Sequence, residues 1–149
     1  MDTSIENHPN SLTILMAEDD PDDSFLLAET LKSLGCEGKL RLVKDGVELM
    51  DYLNRRGRFA DPELSPLPSL LLLDLNMPRK DGRQALREIK ADPSLGKIRV
   101  IIWTTSDLQE DRVLCKEAGA DGYVTKPNSY EGLMDEVKSL CRRLLQVSP

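Results

Sequence analysis

Four short stretches of this 149-residue sequence carry side chains suited to chemistry on a charged oxygen-rich group. They are Glu18-Asp19-Asp20 after LTILMA, Asp74 at the end of SLLLLD, Thr104-Thr105-Ser106 after VIIW, and Thr125-Lys126-Pro127 after DGYV. An acid placed directly on a run of leucines is costly to bury, so the charge of Asp74 is either used or kept wet. Carboxylates held close together repel and raise one another's pKa unless a cation sits among them. An all-oxygen set with no His or Cys suits a hard ion, and magnesium is the natural choice. Magnesium on one or two carboxylates keeps positions open for phosphate oxygens, while a lysine stabilises the same group from the other side. A carboxylate is ionised at neutral pH, so Asp74 can attack phosphorus without a general base. Thr104 can then hydrogen-bond the new phosphoryl oxygens, and its displacement can report the event.

Each stretch also has an ordinary reading. The acids at 18–20 and the hydroxyls at 104–106 stand before helices and can serve as caps or complement a helix dipole. Lys126 can be a surface lysine. Asp74 resists such a reading, because a capping acid need not sit on a leucine strand. Convergence of the four in space favours the chemical reading, and that depends on the elements that carry them.

Apolar runs at 12–17 (LTILMA), 70–74 (LLLLD) and 97–104 (KIRVIIWT) predict buried strands, and KLRLV (39–43) alternates as an edge strand does. DGYVT (121–125) is a short fifth strand. A helix is predicted from Pro21, with acids in its first turn, Leu27, Leu31 and Leu34 on one face, and Gly35 at its stop. Further helices are predicted over 45–57, 83–91, 107–119 and 129–147, while the proline-rich segment RFADPELSPLPS reads as a connecting loop. Residues 1–10 are polar and aperiodic, a flexible tail before one domain over 11–149. Five β-α repeats predict an α/β fold, an open doubly wound five-stranded parallel sheet with helices on both faces. Ligands of such sheets bind beyond the carboxyl ends of the strands, where all four stretches fall.

The rest of the chain narrows the function classes. A net charge of -6 and a pI near 4.9 argue against a nucleic-acid surface. The nearest basic clusters, Arg55-Arg56 with Arg58 and Arg142-Arg143, read as solvated faces. No signal peptide opens the sequence and no apolar run is long enough to span a membrane, so a cytoplasmic protein is expected. Cys36, Cys115 and Cys141 lack metal spacing and read as buried or half-buried free thiols. The single His8 lies in the polar tail, which disfavours Ser-His and Cys-His catalysis and a histidine-ligated metal.

The segments ILMAEDD, LLLLDLNMPRKDG, VIIWTT and GYVTKP, in this order and at these intervals, resemble the receiver domain of two-component response regulators over essentially residues 12–147. The resemblance implies the flavodoxin-like strand order 2-1-3-4-5 and phosphorylation of Asp74 by a sensor histidine kinase. It implies Mg2+ bound by Asp19, Asp74 and the backbone carbonyl of Asn76, with Glu18 acting through water. Thr104 and Tyr123 would form the switch pair, and Lys126 would bridge to the phosphate. Asn76 and Ser106 take the two variable positions that tune phosphoryl lifetime; both are small and polar, so a short lifetime is expected. Such a protein catalyses its own phosphorylation and dephosphorylation and is not otherwise an enzyme. Its 104–147 face would signal to a downstream protein target or phosphotransfer protein. The helix at 107–118, with Asp107, Glu110, Asp111, Arg112, Lys116 and Glu117, would join the final helix as an output or homodimer face. The wording EDDPDD, the proline-rich loop and VIIWTTS resemble stand-alone regulators paired with phytochromes and hybrid kinases. Trp103 reads as a core aromatic under a helix; the alternative is a neighbour that couples Thr104 to the helix at 107–118.

Three other functions fit the sequence less well. A magnesium-dependent phosphatase with an aspartate nucleophile needs a second acid two residues on, where this sequence has Asn76. A flavin or nucleotide binder needs a phosphate cradle after the first strand, and Glu18-Asp19-Asp20 repels one. A receiver that works by binding alone fits poorly with a sequence in which every reactive position is present.

Overall fold

The computed structural model describes residues 13–33, 35 and 40–145, without the side chains at 141 and 143–145. Five strands, β1 (Ile14–Ala17), β2 (Leu40–Val43), β3 (Leu70–Leu73), β4 (Arg99–Thr104) and β5 (Gly122–Thr125), alternate with five helices. The helices are α1 (Pro21–Ser33), α2 (Gly46–Leu53), α3 (Gly82–Ala91), α4 (Gln109–Ala118) and α5 (Tyr130–Leu145). All neighbouring strands pair in parallel, in the order β2-β1-β3-β4-β5, which is the order expected.

The leucine run explains itself in the sheet. Successive side chains of a strand point to opposite faces, and here both faces are covered. Leu71 and Leu73 pack with Leu15, Leu86, Ile89 and Cys115 on the side of α2, α3 and α4. Leu70 and Leu72 pack with Leu27, Leu31, Val137 and Leu140 on the side of α1 and α5. Burying each such side chain contributes about 2 kcal/mol, so β3 is fixed in register and its last residue leads straight to Asp74. The pairings Ala17↔Leu73 and Thr104↔Thr125 then bring the residues that follow these strands to one rim.

Several element boundaries differ from expectation. Asp45, expected inside the second helix, is its N-cap and accepts the amide of Glu48 at 2.8 Å. That helix stops at Leu53, where the Asn54 side-chain amide adds a second bond to Met50 O at 2.9 Å and Arg55 adopts a left-handed φ of 55°. A 3-10 turn, Gly57–Phe59, follows and places Phe59 in the core against Tyr52, with ring centroids 5.2 Å apart. The proline-rich segment is a loop but is tied down, since Tyr52 Oη donates to Pro66 O at 2.8 Å. β4 begins at Arg99 and α4 at Gln109, each two residues later than expected. The expected tail at 1–10, Leu12, Leu34 and Cys36 lie outside the described residues, as does the side chain of Cys141; Cys115 is buried and free. Among the described residues no helix is long and apolar enough to cross a membrane.

One glycine decides how close α3 comes to the strand ends. A Cβ on Gly82 would overlap the backbone carbonyl oxygen of Asp74. With only a hydrogen there, α3 starts directly beside β3, and the Gly82 amide donates to Leu75 O at 3.0 Å.

Candidate functional site

The carboxyl ends of β1, β3, β4 and β5 form the rim of the site. Backbone bonds continue the ladders past the strands: Glu18 N to Val43 O at 3.0 Å, Asp74 N to Ala17 O at 3.1 Å, and Lys126 N to Thr104 O at 2.7 Å. Each functional residue therefore stands on the sheet itself, and not on a loose loop. Glu18, Asp74, Thr104 and Lys126 are buried, whereas Asp19 is exposed.

Glu18, Asp19 and Asp74 each place a carboxylate oxygen within 4.8 Å of the others. Three oxygens at that separation, one of them open to solvent, fit a hard divalent cation. The Asn76 amide donates to Asp74 Oδ1 at 3.1 Å and orients that carboxylate. From the protein side, Lys126 Nζ lies 2.6 Å from Glu18, 2.7 Å from Asp23 and 3.4 Å from Asp74. Burial pushes the Glu18 carboxyl up to about 7; the Lys126 bond pulls against this and the Asp74 charge adds to it. Burial also works against the Lys126 ammonium, but its bonds to Asp23 and Glu18 outweigh that and hold its pKa above the ordinary value.

Thr104, Ser106 and Tyr123 form one connected unit. Thr104 Oγ1 accepts the Ser106 amide at 3.3 Å, and Tyr123 Oη donates to Ser106 O at 2.8 Å. The link from Tyr123 to Thr104 thus runs through the Ser106 backbone. The Arg112 guanidinium covers the Tyr123 ring at 4.6 Å, and burial raises the phenol pKa. Trp103 is 2% exposed and packs on the α1 and α5 side, so the core reading holds; α4 lies across the sheet from it. Its indole Nε1 has no partner among the described residues.

Asp111, grouped by sequence with the charged residues of the 107–118 output face, turns inward instead. Asp111 is buried and takes a two-pronged bond from Arg83, Nε to Oδ1 at 2.7 Å and Nη2 to Oδ2 at 2.8 Å. Ser106 Oγ donates to the same carboxylate at 2.6 Å. The Arg83 bond, with that of Ser106, holds the Asp111 carboxyl down to about 2. A carboxylate held below its unfolded pKa of 3.8 gives stability that is complete above that value and is lost as pH falls through about 2. Asp111→Asn is expected to cost about 2 kcal/mol at neutral pH, below the range for breaking a fully buried pair because Arg83 is partly solvated. Denaturant melts of the variant should also lack this contribution to the wild type's loss between about pH 4 and pH 2. Equal melts for both proteins at both ends of that window would sink this account.

Asp23, Arg83 and Asp111 are the site-region residues that sequence reasoning missed. The signal was periodicity. Asp23 shares the buried stripe of α1 with Leu26, Leu27, Thr30 and Leu31, and Asp111 lies one turn before buried Cys115 on α4. An acid on an apolar stripe needs a partner.

A five-stranded parallel sheet of this order, with acids, a hydroxyl and a lysine at its carboxyl rim, defines a class. The family model described as response regulator receiver domain matches residues 14–138, and the chain belongs to that family. Among individual proteins it is similar to the response regulator Rcp1 of Synechocystis sp., 38% identical over 137 residues, which are 92% of this chain and 90% of that one. The crystal structure of the Mn(2+)-bound form of Rcp1 superposes with a TM-score of 0.84 at 35% identity, over 93% of this chain and 97% of that one. The phosphorylated cyanobacterial phytochrome response regulator RcpA gives 0.85 at 34% identity, over 93% and 96%. Rcp1 thus has a Mn(2+)-bound form, and the acidic trio of this chain offers oxygen donors suited to a divalent ion.

Proposed function

We propose that this protein is a phosphorylation-driven signalling switch in which Asp74 takes a phosphoryl group from the phosphohistidine of a sensor histidine kinase. The observation that carries the reading is the position of Asp74, in reach of both a three-carboxylate cation position and the Lys126 ammonium. An Asp74 oxygen forms the new bond to phosphorus as the bond from phosphorus to the kinase imidazole nitrogen breaks. That nitrogen keeps the electron pair and takes a proton from solvent. Mg2+, the ion the oxygen donors suit, would neutralise charge on the transferring group while held by Asp19, Asp74 and the Asn76 carbonyl, with Glu18 behind. Lys126 meets the same charge from within the fold.

The hydroxyl of Thr104 then donates to a phosphoryl oxygen, and the shift passes through Ser106 to Tyr123 and α4. Phosphorylation favours one of two packings of the 107–130 region, and a downstream protein or a second copy reads the 107–147 face. Asn76 is exposed and Ser106 is turned onto Asp111, so water reaches the phosphoryl group and its lifetime is short. The chain turns over no other substrate.

Likeness to phytochrome regulators favours a phytochrome or related hybrid kinase as the donor. Exposed Phe25 on α1, beside the acidic rim, offers such a kinase an apolar contact. The test is transfer of labelled phosphate from an autophosphorylated bacterial phytochrome kinase to this protein. Label should move to the regulator with magnesium and stay on the kinase with a chelator. Transfer from unrelated kinases at the same rate would remove the phytochrome assignment, and no transfer from any kinase or from acetyl phosphate would remove the switch reading.

A further inference from the structure

We infer that Asp23 is a positioning residue for the phosphorylation reaction: it holds the Lys126 ammonium so that Glu18 and Asp74 remain free to serve a divalent cation. The inference rests on the function proposed above and concerns how that site is kept ready.

The lysine and the cation compete for the same acids. Lys126 lies 2.6 Å from Glu18 and 3.4 Å from Asp74, and both acids belong to the trio that can hold a metal. A lysine held by these two alone would oppose every ion that entered. Asp23 is the exception in the set, for it binds Lys126 at 2.7 Å but is not one of the trio. An ammonium has three protons to place. With Asp23 present, Lys126 keeps a buried counter-ion when Glu18 and Asp74 turn toward a metal, and it stays charged and in place for the phosphoryl group.

The ordinary role of an acid in the first turn of α1 is to complement the helix dipole. Asp22, exposed and also in that turn, is placed for that role without desolvation. Asp23 is 8% exposed and lies on the buried stripe, a placement that dipole complementation does not require. Its Lys126 bond also ties α1 to the residue after β5, so the helix beside the acidic rim senses where the lysine points.

The test is magnesium affinity, read by calorimetric titration of the full chain without phosphodonor. Asp23→Asn is expected to weaken binding roughly tenfold, within the range of coupling between linked sites. Asp22→Asn removes the same charge from the same turn and is expected to change affinity less than about twofold, since exposed charges are screened. In a Lys126→Gln background Asp23→Asn should act no more strongly than Asp22→Asn, because its partner is gone. This pair removes one positive and one negative charge together, so the comparison stands even where Asp23→Asn alone folds poorly. Equal effects of Asp22→Asn and Asp23→Asn, or an undiminished effect without Lys126, would overturn the role of Asp23. Wild-type protein that binds no magnesium would overturn the metal site itself, a distinct result.

Discussion

Asp74→Asn is expected to end phosphoryl uptake entirely. The amide keeps the shape of the side chain, and the Asn76 N–H can still reach its oxygen, but the nucleophilic charge is gone. Wild-type protein mixed with acetyl phosphate and magnesium should gain one phosphoryl mass by mass spectrometry. The emission of Trp103, the single tryptophan, should change and then return as the group is hydrolysed. The variant should show neither response while melting at or above the wild-type temperature, since one acid of a crowded group has been neutralised. A mass gain at another residue in Asp74→Asn would show that the rim has a second acceptor and that Asp74 is not the centre of the chemistry.

The second large effect is on stability. Lys126→Met keeps a long apolar stem in the same space but strips the ammonium from Glu18, Asp23 and Asp74. Removing one partner from a buried ionic cluster costs about 3–5 kcal/mol, because the remaining charges have lost their compensation. The Glu18 carboxyl, already raised to about 7 by burial, rises further once the Lys126 bond no longer pulls it down. Magnesium held by the same carboxylates, as proposed, would bind the folded state alone, so adding it should return much of the lost stability. Urea melts with and without magnesium check this, and a loss that magnesium leaves untouched would mean that the acids and the ion do not share the site. Acetyl phosphate uptake should stay impaired in either case, since the cation cannot replace the positive charge that Lys126 brings from inside.

The strands and the principal residues of the candidate site were legible because each obeys one strong rule. LLLL and VIIW are apolar on both faces, as a covered parallel sheet demands, and the residues that end them break that pattern abruptly. Asp74, Glu18, Thr104 and Lys126 stand at such breaks. Asp23 and Asp111 were hidden because an acid near the start of a helix already has a sufficient explanation in the dipole. Their burial depends on which face of the helix meets the sheet, and their partners are distant in the sequence. Arg83 likewise is one of several arginines until α4 lies beside α3. The early end of α2 had a different cause. Its pattern continues into Asn54-Arg55-Arg56, and the left-handed turn there leads into the 3-10 turn that seats Phe59 against Tyr52.

The bond between Lys126 and Glu18 joins residues 108 apart in the chain. A contact that remote pays its loop-closure entropy late, after the crossovers between β1, β3, β4 and β5 have been made, which places this topology among the slower-folding ones. Synthesis proceeds from the N-terminus, so a nascent chain halted before residue 126 carries both Asp19 and Asp74 yet has no lysine to complete their surroundings. Under the proposed chemistry, phosphotransfer would double as proof of assembly: a kinase would charge only molecules whose sheet has closed from first strand to last, and unfinished copies would stay silent in the signal.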